Sequence, residues 1–256
     1  MTAAHRADDD AGLPEFLRRL MASAGDLPLR HRMQERTATA RRSAVLVLFG
    51  EGPHGPDVLL IEKSAHLRTH AGQPAFPGGG ADPGDDYPVG TALREAQEEA
   101  GVDPAGVRVL GTLPELFLGP SDNLVVPVVA WWDEPSEVVV GDPREVARVA
   151  RVPLAELADP ANRYRLKHPA GFLGPAFAVA DMEVWGFTAG VLEAILEAAG
   201  LALPWDVTDV RPIDPEKIRP GRVPGSVDAG GAEDAAAPTV ADHGPGGAAA
   251  RTVPGR

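Results

Sequence analysis

The stretch from Gly80 to Val102 limits what this chain can fold into more than any other. It reads Gly-Ala-Asp-Pro-Gly-Asp-Asp-Tyr-Pro-Val-Gly-Thr-Ala-Leu-Arg-Glu-Ala-Gln-Glu-Glu-Ala-Gly-Val and follows directly on Gly78 and Gly79. Pro88 suits a first helical turn, where its missing N–H costs nothing, and Gly101 suits a helix end. The spacing therefore predicts a helix from about Pro88 to Ala100. At about 100° per residue, Glu95, Glu98 and Glu99 span roughly 100° of its circumference. Leu93, Ala96 and Ala100 take another face, small enough to sit tightly against a sheet. Carboxylates at such spacing repel one another. A divalent cation removes the repulsion, and oxygen ligands suit magnesium or manganese. The plainer alternative, a solvated acidic face, stays open at this point.

The rest of the chain narrows the options. With 256 residues it can bury one good core. Cysteine is absent, which removes disulfides, thiol nucleophiles and cysteine-based zinc sites. A formal charge of −13, with no basic cluster, argues against nucleic acid as a partner. The polar, acidic leader from Met1 to Gly12 has no secretory pattern, and no apolar run reaches membrane-spanning length. The default expectation is a cytoplasmic protein without a membrane partner. From about Pro220 the sequence is mostly Gly, Ala, Pro and polar residues, so residues 220–256 are expected to form a disordered tail. Residues 13–219 are then the folded domain.

Leu13, Phe16, Leu17, Leu20 and Met21 follow helical spacing. Strands are expected at Ser43–Phe49, Asp57–Ile61, Val107–Leu113, Asn123–Trp132, Val138–Val140 and Glu145–Val152. Gln73–Phe76 is a short extended piece stopped by Pro77 and the glycines. A short helix follows Pro153, Tyr164–Lys167 and Ala176–Val184 suggest a late hairpin, and Phe187–Ala199 is an apolar last helix with Thr188 as its cap or start. The order suits an α+β fold with helices on both sides of a mixed sheet.

Gly80, Arg94, Glu95, Glu98, Glu99, Gly101 and Val102 fall in register with the Nudix box, which this segment resembles. One position departs: Asp86 stands where that pattern has the glutamate that braces the loop against the arginine. The resemblance implies the Nudix α/β/α sandwich and metal-dependent hydrolysis of a phosphate anhydride. Upstream, Leu59-Leu60-Ile61-Glu62-Lys63-Ser64, Arg68, Gly72 and Phe76-Pro77-Gly78-Gly79 resemble the extra signature of the coenzyme A pyrophosphatase branch. There Ile61 replaces threonine and Lys63 replaces arginine. The Pro143-Arg144-Glu145-Val146 and Val184-Trp185-Gly186-Phe187 runs resemble the same branch.

The resemblance implies that Glu95 and Glu99 hold the main Mg²⁺ or Mn²⁺, with Glu98 on a second ion or a bound water, and that Arg94 orients the glutamates. Glu145 is the candidate general base by position. Arg68 and Lys63 are candidates for substrate phosphates, and Gly78, Gly79 and Gly80 could bring backbone N–H groups to an anion. His66 and His70 have helical spacing without a third zinc-like ligand, which favours polar loop residues. The implied reaction splits coenzyme A, or an acylated form, into 3′,5′-ADP and 4′-phosphopantetheine. Another nucleoside diphosphate derivative, such as ADP-ribose or a nucleoside triphosphate, is the alternative substrate, and a non-catalytic ligand-binding module is the alternative class. Oligomeric state is not legible.

Overall fold

In the β-strand Arg41–Gly52 (β1), alternate side chains enter different cores, because successive residues of a strand point to opposite faces. Ala44, Leu46 and Leu48 face one layer, while Val47 and Phe49 face the other. Gly55–Lys63 (β2) repeats the division: Leu59 and Ile61 share the first layer, Val58 and Leu60 the second. A sheet with two apolar faces must be covered on both.

The computed structural model describes residues 12–29, 40–67, 71–118 and 122–218. One compact unit spans Met1–Gly225, and the remaining Ser226–Arg256 lies outside the described residues. So do the expected tail and, Gly12 apart, the expected leader. In chain order the other strands are β3 (Pro74–Ala75), β4 (Gly78–Gly80), β5 (Val107–Thr112), β6 (Leu116–Leu118), β7 (Asn123–Trp132), β8 (Val146–Pro153), β9 (Arg163–Lys167), β10 (Leu173–Val179), β11 (Met182–Trp185) and β12 (Val210–Pro212). The helices are α1 (Glu15–Ser23), α2 (Val89–Ala100), α3 (Leu154–Ala158) and α4 (Gly186–Ala198).

The main sheet runs β3-β2-β1-β7-β5, with β4 also on β1, β6 on β7 and β8 on β2. β1 and β7 are parallel from Arg41↔Asn123 to Gly50↔Trp132, and the other pairs in this sheet are antiparallel. The sheet is therefore mixed, and the expected α+β sandwich with helices on both sides of it is the architecture found. α2 covers one face with Ala92, Ala96 and Ala100 against Leu46, Leu48 and Leu59. Three alanines let the helix axis approach the sheet closely, and a larger residue there would cost about 1–3 kcal/mol in overpacking. α1 and α4 cover the other face through Phe16, Leu17, Leu20, Leu192 and Ile195. A second sheet, β11-β10-β9-β12, adds Phe177 and Val184 to that core.

Two expectations are corrected. Val138–Val140 is not a strand. Its backbone turns to the end of α2, where Val139 N–H donates to Ala100 O at 3.1 Å and Gly141 N–H to Glu99 O at 3.2 Å. The free carbonyls of a helix end compete for those donors. Gly78–Gly80 forms strand β4, paired Val45↔Gly78, Ala44↔Gly79 and Ser43↔Gly80. Thr188 does not cap α4; its hydroxyl donates to Pro74 O at 3.2 Å and ties that helix to β3. β12 and β6 have no sequence signal, being three residues each. No helix among the described residues is long and apolar enough to cross a membrane.

Candidate active site

The carboxylates of α2 are placed by how that helix ends. Gly101 adopts φ 70°, a left-handed conformation that glycine accepts without strain. Its N–H donates to Gln97 O at 3.0 Å, and Val102 N–H to Ala96 O at 3.3 Å. This double closure is a common helix stop. The 139–141 backbone then covers the last carbonyls, and only glycine fits at 141: a Cβ there would lie 1.7 Å from Glu98 O. The last turn, which carries Glu98 and Glu99, is held from both sides.

Opposite the helix lies β4. A Cβ on Gly78 would lie 2.4 Å from Ala44 O, and one on Gly79 would lie 2.5 Å from Glu95 Oε1. Glycine at 79 therefore makes room for a carboxylate. Gly78 N–H donates to Glu99 Oε2 at 2.8 Å, and Gly80 O accepts from Arg94 Nη2 at 3.0 Å. The anion these glycines meet is the protein's own glutamate.

The three glutamates sit at graded depth. The Glu99 side chain is 5% exposed, Glu95 16% and Glu98 58%. Each faces a cation of the protein. Lys63 Nζ donates to Glu99 Oε1 at 2.5 Å. Arg94 reaches Glu95 Oε1 at 3.0 Å and Glu98 Oε2 at 3.0 Å. Burial raises the Glu95 pKa first of all; Arg94 pulls it down, while the Glu99 and Glu98 charges push it further up. Glu95 thus feels both other carboxylates.

Asp85 is the residue that sequence reasoning missed. The brace on Arg94 was expected at Asp86, but Arg94 Nε and Nη2 bond Asp85 Oδ1 and Oδ2 at 3.2 and 3.1 Å. Asp85 also accepts from the Thr91 hydroxyl at 2.8 Å and the Asp82 N–H at 3.0 Å. The Arg94 bonds, then those donors, hold its carboxyl down to about 2, and they raise Arg94 further in turn. Asp86 is exposed. Two adjacent aspartates in the sequence gave no sign of which one turns inward.

Lys63 ends β2 and pairs with Val146 of β8 across a register shift. Glu145 lies in the exposed turn before β8, and its carbonyl accepts from Ser64 N–H at 2.8 Å. The structure therefore brings Lys63 to the glutamates and the Glu145 backbone to the residue after Lys63. Arg68 and His70 lie outside the described residues, as does any contact they make.

Among the described residues, no group of three His, Asp or Glu side chains is disposed to hold a metal ion as it stands. The chemistry of the donors does fit one. Five carboxylates (Asp82, Asp85, Glu95, Glu98, Glu99) face two cations (Lys63, Arg94), leaving three negative charges when all are ionised. Hard oxygens with that excess suit Mg²⁺ or Mn²⁺.

Comparison with known proteins bears on the family of the chain. The family described as NUDIX domain matches residues 39–170. The chain is 35% identical over 184 residues to a protein of Escherichia coli K12 described as "Uncharacterized Nudix hydrolase NudL", covering 68% of this chain and 90% of that one. The crystal structure of a Nudix hydrolase from M. smegmatis, RenU, superposes with a TM-score of 0.45 at 22% identity, covering 65% of this chain and 90% of that one.

Proposed function

This chain belongs to the Nudix hydrolase family, and from that membership we propose that it is a divalent-cation-dependent pyrophosphohydrolase acting on coenzyme A or its derivatives. The observation that carries the reading is the grouping of Glu95, Glu98 and Glu99 beside Gly78 and Gly79, with three negative charges in excess. Glu95 and Glu99 would hold the main ion, and Glu98 would hold a second ion or a bound water. When bound, the cation neutralises phosphate charge and lowers the pKa of the attacking water.

The remaining roles fall to side chains. Arg94 fixes Glu95 and Glu98 from one guanidinium, itself anchored by Asp85. Glu145 takes the proton of the attacking water as general base. Arg68 and Lys63 bind substrate phosphates. The coenzyme A assignment is supported by the resemblance of the Leu59–Gly79 motif to the signature of that branch.

Mass spectrometry of products after incubating coenzyme A with the protein and Mn²⁺ tests this directly. The expected pair is 3′,5′-ADP and 4′-phosphopantetheine. Intact coenzyme A alongside cleaved ADP-ribose or nucleoside triphosphate would move the substrate elsewhere. No cleavage of any of the three would indicate a ligand-binding module.

A further inference from the structure

We propose that Lys63 is a built-in competitor for the divalent cation: its ammonium and the metal are alternative partners of Glu99, and cation binding releases Lys63 toward the phosphate-bearing substrate. The inference rests on the metal reading above and deepens it. Both Glu99 oxygens are engaged, Oε1 by Lys63 Nζ at 2.5 Å and Oε2 by Gly78 N–H at 2.8 Å. The Gly78 donor belongs to a strand pinned to β1 and cannot swing away. The Lys63 donor can.

The two cations of the site differ in how they are fixed. Arg94 is tied by two bonds to Asp85 and one to Gly80 O, independently of the glutamates. Among the described residues, Glu99 is the one hydrogen-bonding and ion-pairing partner of the Lys63 side chain. That side chain is 20% exposed, so a route out exists. A lysine is a point charge on a flexible stem with rotatable donors, suited to changing partner. A dication and an ammonium on one largely buried carboxylate oxygen repel strongly at low effective dielectric, so occupancy is one or the other. An anion arriving with the cation then gives the displaced ammonium a partner.

The test uses Mn²⁺ alone, titrated into the full chain without substrate and followed by electron paramagnetic resonance of the free ion. Lys63→Met is expected to bind Mn²⁺ at least about tenfold more tightly than wild type, because the competing charge is gone. In wild type, acylation of Lys63 by acetic anhydride, read by peptide mass spectrometry, is expected to rise when Mn²⁺ is present. An unchanged or weaker Mn²⁺ affinity in Lys63→Met would overturn the proposal. So would Mn²⁺-independent acylation, a readout that needs no variant to fold. The metal reading fails separately: Glu95→Gln and Glu99→Gln would then bind Mn²⁺ as wild type does, whatever Lys63 does.

Discussion

Gly79 and Glu95 occupy one another's space: a Cβ at position 79 would lie 2.5 Å from Glu95 Oε1 and 2.6 Å from its carboxyl carbon. β4 is held to β1 on its other edge, so the carboxylate is the group that must move. Gly79→Ala is therefore expected to lower turnover ten- to a hundredfold and weaken Mn²⁺ binding. Overpacking should cost about 1–3 kcal/mol in stability. Gly174→Ala, in an open position of β10, is the matched control and should behave as wild type. Wild-type turnover in Gly79→Ala would remove Glu95 from the reaction.

Glu99→Gln should lower turnover about a thousandfold or more, as expected for loss of a metal ligand. Repulsion among the glutamates alone would make the variant as stable as wild type or more so. The Lys63 pair reverses that expectation. A glutamine has one acceptor oxygen and no charge, so it keeps the bond from either Lys63 or Gly78 N–H while its NH2 faces the other donor, and stability should fall by about 1–2 kcal/mol. Urea titration measures it, and a rise in midpoint would show that repulsion outweighs the pair.

Asp85 and Asp86 should separate cleanly. Asp86→Asn changes an exposed side chain and should stay near wild type in activity and melting temperature. Asp85→Asn breaks the brace on Arg94 and should reduce both. The pH dependence has a definite sign. The folded Asp85 carboxyl is depressed to about 2 from an ordinary value of 3.8. Its contribution is present above about pH 4 and is lost as pH falls through about 2. The stability gap between wild type and Asp85→Asn should therefore close between those pH values. A gap that stays constant from pH 7 to 2 would place the Asp85 effect elsewhere.

These variants also mark where sequence reading succeeds. Helical periodicity brought Glu95, Glu98 and Glu99 together, and short apolar runs marked Ser43–Phe49 and Asp57–Ile61 as strands, because both patterns are local. The partners of those carboxylates are not local. Lys63 reaches Glu99 across 36 residues, and Gly78 across 21. The choice between Asp85 and Asp86 depends on a loop whose path is set by Thr91 and the Asp82 N–H. Val138–Val140 had strand composition, yet its donors went to the end of α2, since the hydrogen-bond demand of the helix end overrides β-propensity. The acidic helix face and its Arg94 were legible; the Lys63 and Asp85 partners were not.

The substrate assignment can be tested through Arg68, where the motif alone motivates the experiment. If Arg68 holds a phosphate of coenzyme A, Arg68→Ala should lose about 1.5–3 kcal/mol of transition-state binding, roughly ten- to a hundredfold in kcat/KM. Such a contact is charge-assisted and often bidentate, so Arg68→Lys should recover only part of it. Comparing coenzyme A with 3′-dephospho-coenzyme A isolates the 3′-phosphate from the shared diphosphate. A loss confined to coenzyme A assigns Arg68 to the 3′-phosphate, and equal losses on both assign it to the diphosphate. Unchanged kcat/KM on both substrates would take Arg68 out of the site and leave the coenzyme A reading without its principal phosphate contact.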